Sequence, residues 1–194
     1  MPEHILRLVV GLGNPGAGYQ HTRHNAGFVA IDAIADAYGV IGASERVDND
    51  IWFARSRIAT IDVMLAKPLA FMNRSGPPVH RLADRFGIPC EDLLVVHDDI
   101  DLELGRIKIK EKGGDGGHRG ISSLIDAFGR NDFTRLRIGI GRPQPGVSVT
   151  DHVLGRFSAE EREILGLAIE GIPTTVVTIL RDGTAVAMNR FNSR

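Results

Sequence analysis

Short apolar runs alternate with segments of helical periodicity along most of the chain. The predicted strands are apolar or strictly alternating, and the predicted helices carry apolar residues at helical spacing and stop at a glycine. The predicted strands are residues 6–10, 51–58, 61–66, 93–96, 106–110 and 135–140, and the shorter predicted helices are residues 25–38, 77–86 and 121–128. Strands interleaved with helices predict an α/β fold with a twisted mixed sheet, mostly parallel, and helices on both faces in an αβα sandwich.

The longest predicted helix begins after Ser158, where the sequence SAEE forms a capping box. In such a box the Ser158 hydroxyl accepts a hydrogen bond from the backbone of Glu161, and the Glu161 carboxylate accepts one from the backbone of Ser158. Pro173 lies further along this helix. Because proline lacks the backbone N–H and clashes with the preceding turn, we expect a break or a kink near it.

The composition is that of an ordinary globular protein. The chain has 194 residues, of which 43% are hydrophobic and 24% charged, and this length favours one domain spanning residues 1–194. Cys90 is the only cysteine, so an intramolecular disulfide is excluded and a reducing compartment, the cytoplasm, is expected. We expect neither a signal peptide nor a membrane span, because no stretch approaches the roughly 20 apolar residues that a span needs.

Positive charge is concentrated in one segment of an almost neutral chain. The formal net charge is −1, yet residues 105–142 contain nine lysines or arginines against four acidic residues. Such a segment could neutralise phosphates locally. A solvated face that happens to be basic explains the same charge equally well.

Three glycines after the first predicted strand, Gly11, Gly13 and Gly16, have the spacing of a dinucleotide-binding loop. Pro15 removes an N–H from the middle of this loop, and the next helical pattern begins only after His24. In the dinucleotide motif the helix starts within the glycines, so a nicotinamide-dependent oxidoreductase is disfavoured. We expect instead that the glycines let the backbone approach a substrate closely while neighbouring polar side chains recognise it.

Two predicted strand ends carry side chains capable of acid–base chemistry. Sites of open α/β sheets lie at the carboxyl ends of strands, so these groups could share one cleft. If Asp98 accepts the Nδ1 proton of His24, it fixes the tautomer in which Nε2 is free to take a proton. The alternative is a structural histidine at a helix start. The polar residues at these two ends are Asn14, Tyr19, His21, His24, His97, Asp98 and Asp99.

Neither a nucleophile nor a metal motif accompanies these groups. The pattern G-x-S-x-G is absent, and Cys90 follows Pro89 in a predicted turn, where a structural role is expected. His21 and His24 are three residues apart, but no carboxylate stands at a matching spacing. A base without a nucleophile or a metal predicts direct activation of water, so we expect no metal and no cofactor.

Seven segments resemble, in order and spacing, those of the bacterial-type peptidyl-tRNA hydrolases. The resemblance covers most of the chain, and TRHNAG and FMNRSG are its most specific parts. It implies an esterase that cleaves the bond between a peptide and the terminal ribose of tRNA, and so recycles tRNA from peptides shed by stalled ribosomes, usually as a cytoplasmic monomer. The segments are VVGLGNPGAGY (9–19), TRHNAG (22–27), KPLAFMNRSG (67–76), VVHDDIDLELG (95–105), RIKIKEKGGDGGHRG (106–120), RLRIGIGRP (135–143) and HVLGRF (152–157).

The resemblance implies a role for each matching residue. His24 matches the general base, and Asp98 matches the carboxylate that raises its basicity. Asn14 matches the residue that selects N-blocked substrates, because an amide can pair with a peptide N–H whereas a charged amine would be poorly desolvated there. The other matches are Asn73 for the carbonyl or oxyanion, Tyr19 and Phe71 for stacking on the CCA end, and Lys108, Lys110 and Arg137 for the 5′-phosphate and acceptor stem of tRNA.

One position departs from the family pattern. Arg119 stands where the family commonly has an asparagine, in a GGHNG segment, that binds substrate and holds water. Arginine is longer, permanently charged and a donor only. Its side chain therefore either contacts the acceptor phosphates or turns away, so that a water fills the position of the family asparagine. The departure leaves open, as the alternative function, a paralogue that binds RNA without hydrolysing it.

Overall fold

One seven-stranded sheet runs through the part of the chain that the computed structural model describes, which is residues 7–40, 46–48 and 50–193. The strands lie side by side in the order β2-β3-β4-β1-β5-β7-β6. In chain order they are β1 (Arg7–Gly11), β2 (Arg46–Asp48), β3 (Ile51–Ile58), β4 (Ile61–Pro68), β5 (Leu93–Asp99), β6 (Ile107–Lys110) and β7 (Thr134–Gly139). Residue 6, where the first strand was predicted to begin, lies outside the described residues.

The mixed sheet predicted from the sequence is confirmed. The central strands are parallel, because β1 pairs with β4 and β5, and β5 pairs with β7, all in the same direction. The pairings β2–β3, β3–β4 and β6–β7, towards the two edges, are antiparallel. β1 and β5 are apolar along most of their length because they are covered on both faces, whereas the alternating strand β6 lies at an edge.

Helices cover both faces of the sheet, as predicted. Val9 packs in the core beneath α1, α5 and α6, and its neighbours Leu8 and Val10 pack in the core beneath α2 and α3. This alternation follows from the two-residue period of a strand. The helices are α1 (Ala26–Tyr38), α2 (Gly76–Arg85), α3 (Arg119–Phe128), α4 (Val149–Leu154), α5 (Ala159–Asp182) and α6 (Thr184–Phe191).

Of the break or kink expected near Pro173, the break is wrong, because α5 continues through this residue as one helix of 24 residues, and the kink stays a prediction. A proline inside a helix costs about 3 kcal/mol. Ile172 and Val176, one before and three after the proline, are fully buried in the core. Burial on both sides of Pro173 therefore outweighs the lost hydrogen bond.

Helix α5 also corrects the expectation that no segment approaches a membrane span. By length and composition alone it could cross a membrane, since its most apolar 18-residue window has a mean hydropathy of 1.6. Of this window, 44% is buried within the protein. Its apolar side packs on the sheet and on α1, which is the arrangement of a core helix.

Glycines let α1 pack directly on the backbone of the sheet. A Cβ added at Gly11 would lie 2.2 Å from the carbonyl oxygen of Gly27, and one added at Gly27 would lie 2.4 Å from the carbonyl oxygen of Val96. A Cβ at Gly13 would lie 2.7 Å from the ring of Phe28. The expectation that Gly11 and Gly13 make room for a substrate was therefore wrong, since both make room for α1.

Replacing Gly27 with alanine is expected to lower the free energy of unfolding by about 2 kcal/mol, because the added methyl overlaps rigid backbone. Gly166→Ala is the matched control, since no atom lies within 4 Å of a Cβ added at this position in α5. It should raise the free energy of unfolding by about 0.5–1 kcal/mol through helix propensity. Urea unfolding of both variants measures the difference, and equal effects would contradict the packing argument.

Candidate active site

A cavity of about 300 Å³ lies at the carboxyl ends of the parallel strands β4, β1 and β5. Polar groups from the segments that follow these strands meet in it, as the topology of an open α/β sheet predicts. Of the residues singled out in the sequence for the site, five do not line this cavity: His21, His97, Lys108, Lys110 and Arg137. Those that line it are Asn14, Tyr19, His24, Phe71, Asn73, Asp98, Asp99 and Arg119.

His24 and Asp98 form the hydrogen-bonded pair that the sequence predicted. His24 lies in a 3₁₀ turn (Arg23–Asn25) just before α1, and Asp98 lies near the end of β5. The Nδ1 atom of His24 is 2.9 Å from both carboxylate oxygens of Asp98. An ionised carboxylate only accepts hydrogen bonds, so Nδ1 carries the proton and Nε2 of neutral His24 is left unprotonated.

A second imidazole, which the sequence analysis did not assign to the site, binds the same carboxylate. The Nε2 atom of His118 lies 3.0 Å from Oδ1 of Asp98. Its Nδ1 accepts hydrogen bonds from the backbone N–H groups of Gly120 and Ile121 and so caps α3. The capped helix therefore forces the proton of neutral His118 onto Nε2, the nitrogen that faces Asp98.

The two imidazoles keep Asp98 ionised. Burial alone would raise the pKa of this carboxyl, but His118 and His24 oppose burial and hold its pKa well below the usual range. Asp98 therefore keeps its negative charge at every pH at which an imidazole titrates. It can stabilise the positive charge that His24 acquires when it takes a proton.

The same three side chains also have the composition of a small metal site. One ligand atom each from His24, Asp98 and His118 lies within 4.8 Å of the others. Within the described residues, each of these imidazoles already donates an N–H to the carboxylate. A bound cation would have to replace both hydrogen bonds. The imidazole nitrogens that face Asp98 would first have to lose their protons before they could bind it.

Asn14 is held rigidly in the cavity wall. Its backbone N–H donates to Oδ1 of Asn25, and its carbonyl accepts from Nδ2 of Asn25. The Oδ1 atom of Asn14 accepts a hydrogen bond of 2.8 Å from the backbone N–H of Met72. The oxygen that the sequence analysis paired with a peptide N–H therefore already accepts one of the two hydrogen bonds that it can accept, and within the described residues Nδ2 of Asn14 forms none.

The turn that carries His24 is anchored to the segment around the start of α5. The Arg23 guanidinium binds both carboxylate oxygens of Glu161, at 2.9 and 2.8 Å, and its backbone N–H donates to the carbonyl of Gly155. Glu161 is also the capping-box residue of α5, so the predicted box is confirmed. One carboxylate thus caps α5 and fixes the position of the catalytic candidate His24.

Comparison with known proteins agrees with this geometry. The family model described as Peptidyl-tRNA hydrolase matches residues 8–194. The chain belongs to the peptidyl-tRNA hydrolase family. Family proteins of Clostridium novyi and Enterococcus faecalis are each 43% identical to it, over 185 and 190 residues that cover 95% and 97% of this chain and 97% and 100% of theirs. The crystal structure of peptidyl-tRNA hydrolase from Acinetobacter baumannii has a TM-score of 0.89 at 38% identity and covers 98% of this chain and 96% of that one.

The aromatic residues matched to this family stand at the cavity rather than in the core. The rings of Tyr19 and Phe71 meet edge to face with centroids 6.3 Å apart. Phe71 is 57% exposed, which excludes core packing as its role. Asn73 is exposed in the next turn and also lines the cavity.

The basic strands carry both structural and available charge. Arg137 on β7 is paired in register with Lys108 on β6, and its Nε donates to Asp99 at 2.6 Å. Arg135 is buried and donates to the backbone carbonyls of Gly113 and Gly114 in the glycine-rich loop. Part of the positive charge of residues 105–142 therefore stabilises the fold, and the sequence could not separate this part from the charge left for a ligand.

His97 lies buried beside the pair of His24 and Asp98. Its Nδ1 donates to the backbone carbonyl of Asp98 at 2.7 Å, and its ring centroid is 4.7 Å from that of His118. Within the described residues its Nε2 is buried without a partner. Burial lowers the pKa of His97 well below its ordinary value, and the neighbouring His118 lowers it further, so His97 stays neutral in the folded protein.

This neutral histidine makes the protein less stable in mild acid. Below the unfolded imidazole pKa of about 6.5 the unfolded chain binds a proton that folded His97 does not bind, so the free energy of unfolding falls by about 1.4 kcal/mol per pH unit. The loss continues until the pH reaches the lowered folded pKa. In His97→Asn, whose Nδ2 can replace the Nδ1 donor, urea unfolding between about pH 7 and 5 should show a shallower slope. A slope equal to that of the wild type would contradict the neutral state.

Proposed function

We propose that the chain hydrolyses the ester between a peptide, or an N-blocked aminoacyl group, and the 3′-terminal ribose of tRNA, with His24 as general base. The observation that carries this proposal is the Nδ1 atom of His24 held at 2.9 Å from both oxygens of Asp98 in the cavity wall. Membership of the peptidyl-tRNA hydrolase family supports the substrate. The reaction makes the protein a carboxylic ester hydrolase that returns tRNA to translation.

Water attacks the ester carbonyl while Nε2 of His24 takes one of its protons. Asp98 stabilises the imidazolium, and His118 holds Asp98 in place from its other side. The negative charge that develops on the carbonyl oxygen needs donors, and the Nδ2 groups of Asn14 and Asn73 supply them. The tetrahedral intermediate then expels the ribose oxygen, which takes the proton back from His24, and the products are the free peptide acid and the tRNA hydroxyl.

The surfaces around the cavity support a position for each part of tRNA. Tyr19 and Phe71 offer faces on which the unpaired bases of the CCA end stack at about 1–3 kcal/mol per base. Lys108, Lys110 and Arg137, on the two basic strands, bind the acceptor stem and its 5′-phosphate, and Arg137 uses for this the Nη groups that its contact with Asp99 through Nε leaves unused. Such contacts do not depend on base sequence, as an enzyme that acts on all tRNAs requires. We place this reaction in the cytoplasm, in a monomer of one domain.

Release of N-acetyl-aminoacyl groups from tRNA by the intact protein, with and without a chelator, tests the proposal. We expect catalytic turnover that the chelator leaves unchanged, and much slower cleavage of aminoacyl-tRNA with a free amine. Binding of tRNA without hydrolysis would establish a non-catalytic RNA-binding protein instead. Loss of turnover on chelation would mean that His24, Asp98 and His118 bind a metal.

A further inference from the structure

Among the residues that the structure describes, Arg119 has no partner, whereas the other arginines of its basic segment are all engaged. Its side chain is exposed and forms no hydrogen bond or ion pair within the described ranges. The other arginines of residues 105–142 contact carboxylates or backbone carbonyls: Arg106 contacts Asn192, Arg130 contacts Asp132 and Glu91, Arg135 contacts the glycine-rich loop, Arg137 contacts Asp99 and Arg142 contacts Asp101. The charge of Arg119 is therefore available to a ligand.

The position of Arg119 does not stabilise the protein by itself. It is the first residue of α3, and the N-terminal end of a helix is electropositive, so a cation there is unfavourable. Asp115, the nearest acidic residue in the same loop, accepts a hydrogen bond from the backbone of Gly117 instead of binding the guanidinium. A cation that the fold does not compensate fits a ligand-binding role.

Arg119 also stands close to the proposed reaction centre. It lines the cavity together with His24. It directly follows His118, whose ring centroid is 5.0 Å from that of His24. The other ionised groups that line the cavity are three carboxylates: Asp98 is bound by imidazoles, Asp99 by Arg137, and Asp115 accepts from the backbone of Gly117. An anion entering the cavity therefore meets Arg119 as its cationic partner.

We propose that Arg119 binds the phosphodiester that joins the terminal nucleotide of tRNA to the one before it, and thereby places the ester beside His24. This phosphodiester is attached to the same ribose as the ester, one sugar ring away. A guanidinium matches two phosphate oxygens with two parallel N–H groups. The charge of the peptide varies with its sequence, whereas every tRNA carries this phosphodiester, so the phosphate is the anion that a fixed arginine can use for all substrates.

The inference rests on the proposed reaction at His24, and substrates with one neutral linkage test it. The probe is N-acetyl-aminoacyl-tRNA in which a methylphosphonate replaces the terminal phosphodiester. For the wild type we expect kcat/KM to fall by about tenfold, the effect of one charge-assisted bidentate contact. For Arg119→Gln acting on native substrate we expect kcat/KM about tenfold below that of the wild type. Replacing the phosphodiester with the methylphosphonate should then lower kcat/KM of this variant by less than about twofold. Arg119→Lys keeps the charge without the fork and should show an intermediate penalty.

Two controls make the result specific to Arg119 and to this linkage. Lys112→Gln removes an exposed cation of the same segment that does not line the cavity, and it should keep the full methylphosphonate penalty. A methylphosphonate at the next linkage along the strand should affect the wild type and Arg119→Gln equally.

The inference fails if the wild type is indifferent to the terminal methylphosphonate, or if Arg119→Gln keeps the full penalty. Arg119→Gln keeps the full penalty when its loss relative to the wild type is equal on the two substrates, and Arg119 would then act away from this phosphodiester. A wild type that does not cleave native substrate would overturn the reaction, and the inference with it. A wild type that cleaves the native and the methylphosphonate substrate equally fast would overturn this inference and leave the proposed reaction intact.

Discussion

Replacing His24 with alanine is expected to lower kcat by about 10²- to 10⁴-fold while tRNA still binds with nearly unchanged affinity. The variant loses the nitrogen proposed to take a proton from water, but the aromatic and basic surfaces around the cavity remain. Hydrolysis of N-acetyl-aminoacyl-tRNA under single-turnover conditions measures the rate, and filter binding measures the affinity.

His21→Ala is the matched control for this variant. His21 precedes His24 by three residues, is exposed and does not line the cavity. Its replacement should leave kcat within about twofold of the wild type, as is usual for surface substitutions away from a site. If His24→Ala retained the rate of His21→Ala, His24 would have a structural role and the base would have to be sought elsewhere.

Replacing Asp98 with asparagine is expected to lower kcat by about 10³- to 10⁴-fold, comparable to the effect of the same substitution at the aspartate of a serine protease triad. An asparagine side chain presents one oxygen and one NH₂ group to two imidazole N–H donors. At least one imidazole must therefore lose its hydrogen bond or change its tautomer. If His24 changes, its Nε2 carries the proton and can no longer accept one.

Asp98→Asn should also destabilise the fold, because a buried donor then faces a buried donor, at about 1–3 kcal/mol. Asp101→Asn is the control, since Asp101 is exposed and its partner Arg142 is largely exposed as well. It should change neither kcat nor the free energy of unfolding by a measurable amount. A rise in KM with unchanged kcat in Asp98→Asn would contradict the assignment, because it would show that the carboxylate serves substrate binding instead of catalysis.

Periodicity predicted the elements that are long or clearly bounded. Helix α1 follows from apolar residues at helical spacing that end at Gly39, and the capping box of Ser158 located the start of α5. Three short elements, β2, α4 and α6, were not predicted. Helix α4 has only six residues and contains the β-branched sequence VT at its start, so its existence depends on packing and on the Ser148 cap, which a window of sequence does not reveal.

The residue pattern predicted only those parts of the candidate site that lie at or after the ends of strands. His24 and Asp98 follow or end apolar strands, and a parallel sheet brings such ends together whatever lies between them in sequence. His118 follows a glycine-rich loop instead of a strand, so its contact with Asp98 depends on where that loop folds. One signal was available, because a polar residue directly before a helix is a capping candidate.

Hydrogen-bond partners within the cavity could not be predicted from the chain. The Oδ1 atom of Asn14 is bonded by a backbone group 58 residues away, and this contact orients the amide in the cavity wall. The same limit applies to Arg135 and Arg119, which look alike in sequence. The structure shows one engaged with the glycine-rich loop and the other without a partner in the described part of the chain.

The tautomer of His24 is the most direct test of water activation by this enzyme. Nitrogen-15 NMR of the histidine-labelled protein, recorded on the alkaline side of the titration where the ring is neutral, distinguishes a protonated from an unprotonated ring nitrogen. The geometry predicts a proton on Nδ1 of His24 and, in the same spectrum, a proton on Nε2 of His118. A proton on Nε2 of neutral His24 would contradict the account, because that nitrogen could then take none from water.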